Sequence, residues 1–438
     1  MSEKSFSGWG RYPRTSCRVI TADDAERIPG VVAAAQSLIA RGNGRAYGDA
    51  AANPRGTLTM GSHRQILAFD AETGRLTAEA GLLLSDIIAE FAHRGWFPPV
   101  TPGTKFVSLG GMIAADVHGK NHHVTGSFGS HVEAFDLALA DGRVVRCAPD
   151  ENAALFAATL GGMGLTGVIL RATVRLMPIE TTKIRRETLR AANLDAVMAL
   201  FEESQSWTYS VAWIDCLSGG SALGRSVLQR GEHATASEVP TAGALTPSPK
   251  RARRVPLDFP TFALNRWSVR LFNALYWSRS RPGIDIVDFD PFFYPLDALL
   301  EWNRIYGRHG FFQYQCVLPT AASRSGLVAL LQRIRATGSG SFLSVLKRFG
   351  PQDGMLSFPM EGYTLALDFP VTVATLRLAD ELDAIVADHG GRLYLAKDAR
   401  MAPAMLRGYP RLEEFNAVRA AVDPDRKFAS ALSLRLGL

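Results

Sequence analysis

Three glycine-rich stretches stand out early in the chain. The first is Arg41-Gly42-Asn43-Gly44-Arg45-Ala46-Tyr47-Gly48-Asp49. The second runs from Pro102-Gly103-Thr104 through Ser108-Leu109-Gly110-Gly111 to His118-Gly119-Lys120-Asn121. The third is Gly161-Gly162-Met163-Gly164-Leu165-Thr166-Gly167. Glycines let the backbone approach a ligand closely and let several N–H groups converge on phosphate oxygens. One such stretch is an ordinary turn signal. Three together, interleaved with Asn43, Thr104 and Ser108, point to a cofactor that carries a pyrophosphate.

Gly162, Gly164 and Gly167 form a literal G-x-G-x-x-G. The dinucleotide fingerprint needs a strand before it and a helix after it. Here the order is reversed, with a helical pattern over 153–160 and a strand pattern over 168–176. The helix N-terminus that would hold a pyrophosphate is missing, which excludes a nicotinamide Rossmann domain. His118, His122 and His123 could suggest a metal cluster, but no Cys or carboxylate sits at matching ligand spacing, so no metal is expected. Cys17, Cys147, Cys216 and Cys316 are far apart and form no C-x-x-C pair. They read as free, buried thiols in a reducing compartment.

The positioning elements follow from periodicity. Ser85 caps a predicted helix with Asp86 in its first turn, a stripe of Ile87, Ile88 and Phe91, and Gly95 at its end. Asp141–Gly142 between 137–140 and 143–147 is a hairpin signal. Pro178 marks a domain boundary. A strand is predicted over 208–214, and 233–256 reads as loop or linker. A helix is predicted over 261–277, with Leu264, Trp267, Leu271, Leu275 and Tyr276 at helical spacing beside Arg266 and Arg270. Strands of a second sheet are predicted over 311–318, 342–349 and 363–369, with helices over 323–337 and 373–389. Gln313 and Gln315 then share one strand face, and Tyr314 points the other way.

The 438 residues are 47% hydrophobic with a mean hydropathy of +0.03, as in ordinary globular proteins. No apolar run is long enough to span a membrane, and the polar start over 1–14 lacks a signal-peptide core. The expected location is cytoplasmic or peripheral to a membrane.

Together the glycine motifs and Gly167-Val168-Ile169 resemble the vanillyl-alcohol-oxidase type of FAD-linked oxidoreductase. Further stretches are similar to its polyprenylphosphoryl-ribose 2′-oxidase branch. They are His118-Gly119-Lys120-Asn121-His122-His123, Ser127-Phe128-Gly129, Glu301-Trp302-Asn303-Arg304, Gln313-Tyr314-Gln315 and Tyr394-Leu395-Ala396-Lys397-Asp398. The likeness runs from Gly8 to Ser430 and is poorest over 230–290.

The resemblance implies an α+β, two-domain fold. An FAD-binding domain of 1–177 would be completed by 395–438. A substrate domain of 178–394 would hold an antiparallel sheet and a mobile basic, amphipathic segment at about 231–290. It implies non-covalent FAD, held by Gly42, Asn43, Gly44, Arg45, Ala46, Tyr47, Gly48, Asp49, Gly103, Ser108, Leu109, Gly110, Gly111, Ala115, His118, Val168 and Tyr394. Substrate contacts would be Trp213, Tyr294, Gln313, Gln315, Lys347 and Ala366. Catalytic candidates are Lys397, Lys120, His118 and Tyr47. Lys397 comes first, because a lysine desolvated beside a flavin can handle a proton or stabilise an alkoxide. Lys120 and Lys347 suit a sugar phosphate as cationic donors.

The implied reaction turns the ribose 2′-hydroxyl of a polyprenyl-phosphoryl sugar into a ketone. An NAD(P)H-dependent short-chain reductase would complete epimerisation to the arabinose donor of cell-envelope arabinan. Quinone or oxygen would take the electrons. The chain departs from the pattern at Ala366, where that branch carries an active-site cysteine, and at Thr364, where it carries asparagine.

The net charge of +6 is concentrated. Residues 250–281 hold eight basic residues and one acidic residue, Asp258, so this segment carries +7 and the remainder −1. Lys250-Arg251-Ala252-Arg253-Arg254 leading into an aromatic helix fits a membrane surface. Nucleic acid is not an expected partner. The competing readings are a soluble alditol or aldonolactone oxidase of the same fold, and a non-enzymatic lipid- or nucleic-acid-binding protein.

Overall fold

A computed structural model describes residues 3–240, 243–247, 252–260 and 264–438. The Asp141–Gly142 turn closes a hairpin in which Val132–Ala138 pairs antiparallel with Val144–Cys147. Gly142 takes φ +87°, which a residue with a Cβ adopts at a cost. This hairpin sits at one side of a five-stranded antiparallel sheet, whose other strands are Ile66–Asp70, Arg75–Glu79 and Val168–Arg175. The helices Leu84–Phe91 and Leu109–Ala114 pack Ile87, Ile88, Phe91, Met112 and Ile113 into the same core as Leu76, Phe135 and Val174.

A four-stranded sheet of Glu3–Ser7, Arg14–Ile20, Thr57–Thr59 and Ile39–Arg41 lies earlier in the chain. The C-terminal segment returns to it. Leu38 donates its backbone N–H to the Lys427 carbonyl and accepts the Ala429 N–H, and the Asn53 amide donates to the Ala429 carbonyl at 2.6 Å.

The largest sheet has eight strands, all paired antiparallel. Their order is Gly283–Asp288, Lys183–Ala191, Ser226–His233, Tyr209–Ile214, Ser344–Phe349, Gly362–Pro370, Phe311–Pro319 and Arg392–Leu393. Strand alternation divides its residues between two environments. Tyr314, Cys316, Leu346, Leu365 and Leu367 share a core with Leu327, Leu330, Leu378 and Leu382 of the helices Thr320–Thr337 and Val373–Asp388. Gln313, Gln315, Lys347, Thr364, Ala366, Asp368, Val211 and Trp213 face a large cavity instead. The expected opposition of Tyr314 to the two glutamines is observed.

The helix predicted over 261–277 is Arg266–Arg279, started by Asn265, whose side-chain oxygen accepts from the N–H groups of Trp267 and Ser268. Residues 261–263 and the basic pair Lys250 and Arg251 lie outside the described residues. The apolar stripe faces outward. Trp267, Leu271 and Leu275 are 68%, 62% and 42% exposed, while Val269 and Asn273 are buried. The reason is polar: the Asn273 amide donates to buried Asp215 at 2.7 Å, which turns that face inward. Within the predicted 233–256 loop, Arg253–Arg254 forms a short parallel pair with Leu299–Leu300. No described helix is long and apolar enough to cross a membrane.

Candidate functional site

The three glycine stretches and the cavity face of the eight-stranded sheet enclose one space of about 710 Å³. At its glycine end the wall includes Gly42, Asn43, Gly44, Arg45, Ala46 and Tyr47, then Gly103, Ser108, Gly110, Gly111, Ala115 and His118, then Met163, Gly164 and Gly167. The N–H groups of Asn43, Gly44, Arg45 and Ala46 have no acceptor among the described residues. They form a run of unused donors of the kind that holds phosphate oxygens. The Gly42 Cα lies so close to Ser108 that an added Cβ would meet its Oγ at 2.0 Å. At Gly103 the space is open, with nothing within 4 Å of an added Cβ. Arg45 stacks over Trp9 at 4.1 Å, which fixes the edge of the cradle. These features fit a flavin dinucleotide.

Some expected cofactor positions do not reach the cavity. Gly48 packs against Asp398, where a Cβ would stand 1.8 Å from its carbonyl oxygen. The Asp49 carboxylate is tied to Arg435 at 2.9 Å, and Arg435 also binds Asp398 at 2.8 Å. Leu109 and Val168 are fully buried in core clusters, and it is their neighbours Ser108, Gly110, Gly167 and Ile169 that line the wall. Tyr294, expected at the substrate, is fully buried behind the wall. Its ring packs on Phe289 and Phe293, and Phe293, Pro295 and Leu296 take its place.

His118 lies in an aromatic nest of Phe349, Phe358 and Tyr394, with ring centroids at 4.8, 5.6 and 5.2 Å. The Gln315 amide donates to its Nε2 at 3.0 Å and to Thr364 at 3.2 Å. Burial, then the charges of Lys347, His122 and Lys397, hold His118 well below its ordinary pKa, so it is neutral. His122 turns instead to Gln352 and His123 to the Trp207 carbonyl, so the three histidines diverge. Tyr394 is fixed by donating its hydroxyl to the Ala115 carbonyl at 2.9 Å.

Three lysines converge on the same space. Lys120 reaches the Phe293 carbonyl at 3.3 Å, and Lys397 lies 3.8 Å over the Tyr47 ring. Burial pushes Lys120 down to about 7, helped by the charge of Lys347. Lys347 falls to about 8 through burial. Lys397 falls to about 7 through burial, with Asp368 opposing and Lys347 assisting. The wall around them is apolar: Trp213, Phe272, Tyr276 and Phe342 line it, with Trp213 donating its indole N–H to the Phe342 carbonyl.

Sequence reading missed Asp368. Its 1% exposure and its Gln313 partner place it in this wall. The signal was available: the strand alternation that puts Thr364 and Ala366 on the cavity face carries Asp368 with them. The aromatic wall residues Phe272 and Phe342 were also missed. They come from separate elements that only the fold brings together.

Fold and cradle define an FAD-dependent oxidoreductase of the vanillyl-alcohol-oxidase type, and the FAD binding domain family model matches residues 18–148. The decaprenylphosphoryl-beta-D-ribose oxidase of Mycolicibacterium smegmatis is 37% identical over 99% of this chain and 98% of its own length. The chain belongs to that enzyme's family. More distant relatives share about a third of the chain. Human delta(24)-sterol reductase is 33% identical over 32% of this chain and 27% of its own. Mouse L-gulonolactone oxidase is 32% identical over 31% of each chain.

Proposed function

We propose that this enzyme oxidises the ribose 2′-hydroxyl of a polyprenyl-phosphoryl ribose to the 2′-keto sugar. The observation that carries the reading is the convergence of Lys120, Lys347 and Lys397 on an apolar-walled cavity continuous with the flavin cradle. Three buried ammonium groups repel one another and call for an anion. A phosphate answers that demand, and the aromatic wall of Trp213, Phe272, Tyr276 and Phe342 suits the lipid chain next to it. The flavin, when bound, accepts the hydride. The chain's own residues hold the phosphate through Lys120 and Lys347, orient the sugar through Gln313, Gln315 and Trp213, and manage the hydroxyl proton beside Lys397. His118, being neutral and boxed by aromatics, shapes the wall rather than supplying charge.

A division into a cofactor domain of 1–177 with 395–438 and a substrate domain of 178–394 belongs to this proposal. The separate sheets and the docking of the C-terminal return on the first sheet support it. So do non-covalent FAD, a short-chain reductase that consumes the ketone, and quinone or oxygen as acceptor. We further place a membrane surface against the Arg266–Arg279 helix. Of the fifteen exposed large hydrophobic residues described, nine lie within 257–299. Arg266 and Arg270 stand beside the most exposed of these, Trp267.

The test is anaerobic mixing with a polyprenyl-phosphoryl ribose while oxidised-flavin absorbance is followed. Bleaching by this sugar and not by free alditols or aldonolactones is expected. Bleaching by the free polyols alone would sink the reading.

A further inference from the structure

Two acidic side chains stand on the cavity wall. Asp297 is already engaged, accepting the Lys105 backbone N–H at 2.9 Å. Asp368 is different. Its Oδ1 accepts from the Gln313 amide at 2.6 Å, and Gln313 is its direct partner in the neighbouring strand. Its Oδ2 has no hydrogen-bond partner among the described residues, although the carboxyl is 99% buried. The groups that face it are the Tyr47 phenol from the first glycine stretch, the Tyr306 phenol, and the Lys397 ammonium. A buried, unpaired carboxylate oxygen is costly unless something donates to it. The Tyr306 hydroxyl, likewise buried and unpartnered, is the protein donor beside it, and a substrate hydroxyl is the donor that can arrive from the cavity.

We propose that Asp368 is the catalytic residue that accepts the hydroxyl proton, with Gln313 fixing one carboxylate oxygen and Lys397 holding the developing oxyanion. The inference rests on the oxidation proposed above. The C2′–H bond breaks and its electron pair leaves with the hydrogen as hydride to bound oxidised flavin. The O–H bond breaks, its pair becomes the second bond of the ketone, and its proton passes to Asp368 Oδ2. Lys397 as an ammonium has no lone pair to take that proton. Burial lifts the Asp368 carboxyl to about 7, with Gln313, the charge of Lys397 and the Tyr306 hydroxyl pulling the other way. The working form therefore pairs an ionised Asp368 with a protonated Lys397, and the rate of flavin reduction falls on the acid side near neutrality.

The experiment measures single-turnover flavin reduction by polyprenyl-phosphoryl ribose against pH, in wild-type holoenzyme and in Asp368→Asn. Asparagine keeps an oxygen for Gln313. The expected result is retained FAD, a rate about 10²- to 10⁴-fold lower, and loss of the acid limb. Asp368→Ala should regain part of its rate with added formate. An independent readout is the pH-difference infrared spectrum of the wild type. It should show a buried carboxyl titrating near neutrality that Asp368→Asn removes. If Lys397 is the base, Asp368→Asn keeps its rate at high pH and its limb moves to lower pH, which overturns the proposal. Absence of the infrared band overturns it even if the variant does not fold. Failure of the wild type to be reduced at all overturns the functional reading and this inference together.

Discussion

Replacing Lys120 with methionine separates substrate binding from chemistry. Lys120 is enclosed by protein, touches the Phe293 carbonyl at 3.3 Å, and shares the cavity with Lys347 and Lys397. A charge-assisted hydrogen bond to a phosphate contributes about 1.5–3 kcal/mol. At about 1.4 kcal/mol per decade, its loss weakens binding about 10- to 100-fold. The expected result in steady-state assays is a KM raised by that factor with kcat little changed. The substrate-free protein should respond in the opposite sense. Burial holds Lys120 at about 7 in the folded chain against an ordinary 10.5, so the folded state binds fewer protons than the unfolded state between those values. The penalty is fully present below pH 7 and fades as pH rises towards 10.5. Lys120→Met should therefore raise the unfolding midpoint of the flavin-loaded, sugar-free enzyme at pH 6, and the gain should shrink by pH 10. A fall in kcat at unchanged KM would refute phosphate binding by this residue. A lowered midpoint at pH 6 would refute the electrostatic account.

Gly103→Leu places a side chain in open cavity space, so unfolding of the flavin-free protein should be unchanged while FAD affinity drops about tenfold or more; unchanged affinity by flavin fluorescence would move the cradle elsewhere. A thiol-directed inhibitor of this family should leave the intact mass unaltered, because position 366 is alanine and all four cysteines are free and buried, whereas Ala366→Cys should gain one adduct. Trp267→Ser combined with Leu271→Ser should abolish co-flotation with anionic vesicles while flavin content stays constant; equal flotation would remove the membrane surface from the proposal.

The glycine stretches were legible because glycine at close backbone approaches leaves few alternatives. The second sheet was legible because its strands alternate cleanly, and Gln313, Tyr314 and Gln315 lie as the alternation requires. Individual cofactor positions were less so. A motif reads as a continuous run, but its backbone turns, and Gly48, Asp49, Leu109 and Val168 are spent on packing while their neighbours meet the cavity. Asp368 was missed because it belongs to no motif. Its significance arises from Gln313, Tyr47 and Lys397, which only folding brings beside it.

The Arg266–Arg279 helix turns its apolar stripe outward, and its contacts give the reason. A helical stripe of Trp267, Leu271 and Leu275 reads as a core-facing surface on the ordinary rule. The fold instead anchors the other side, through Val269 and through Asn273 bound to Asp215. Phe272 and Tyr276 then border the cavity, and Tyr276 packs on Trp213 with ring centroids 4.7 Å apart. One helix thus has an inner face on the substrate space and an apolar outer face open to solvent. Exposure of that much apolar surface costs free energy in water unless a second apolar phase covers it. A substrate with a polyprenyl tail resides in such a phase. If the outer face rests on a bilayer, the aromatic wall beneath it stands next to the lipid chain's entry route. The exposed stripe and the enzyme's proposed substrate then have one physical explanation.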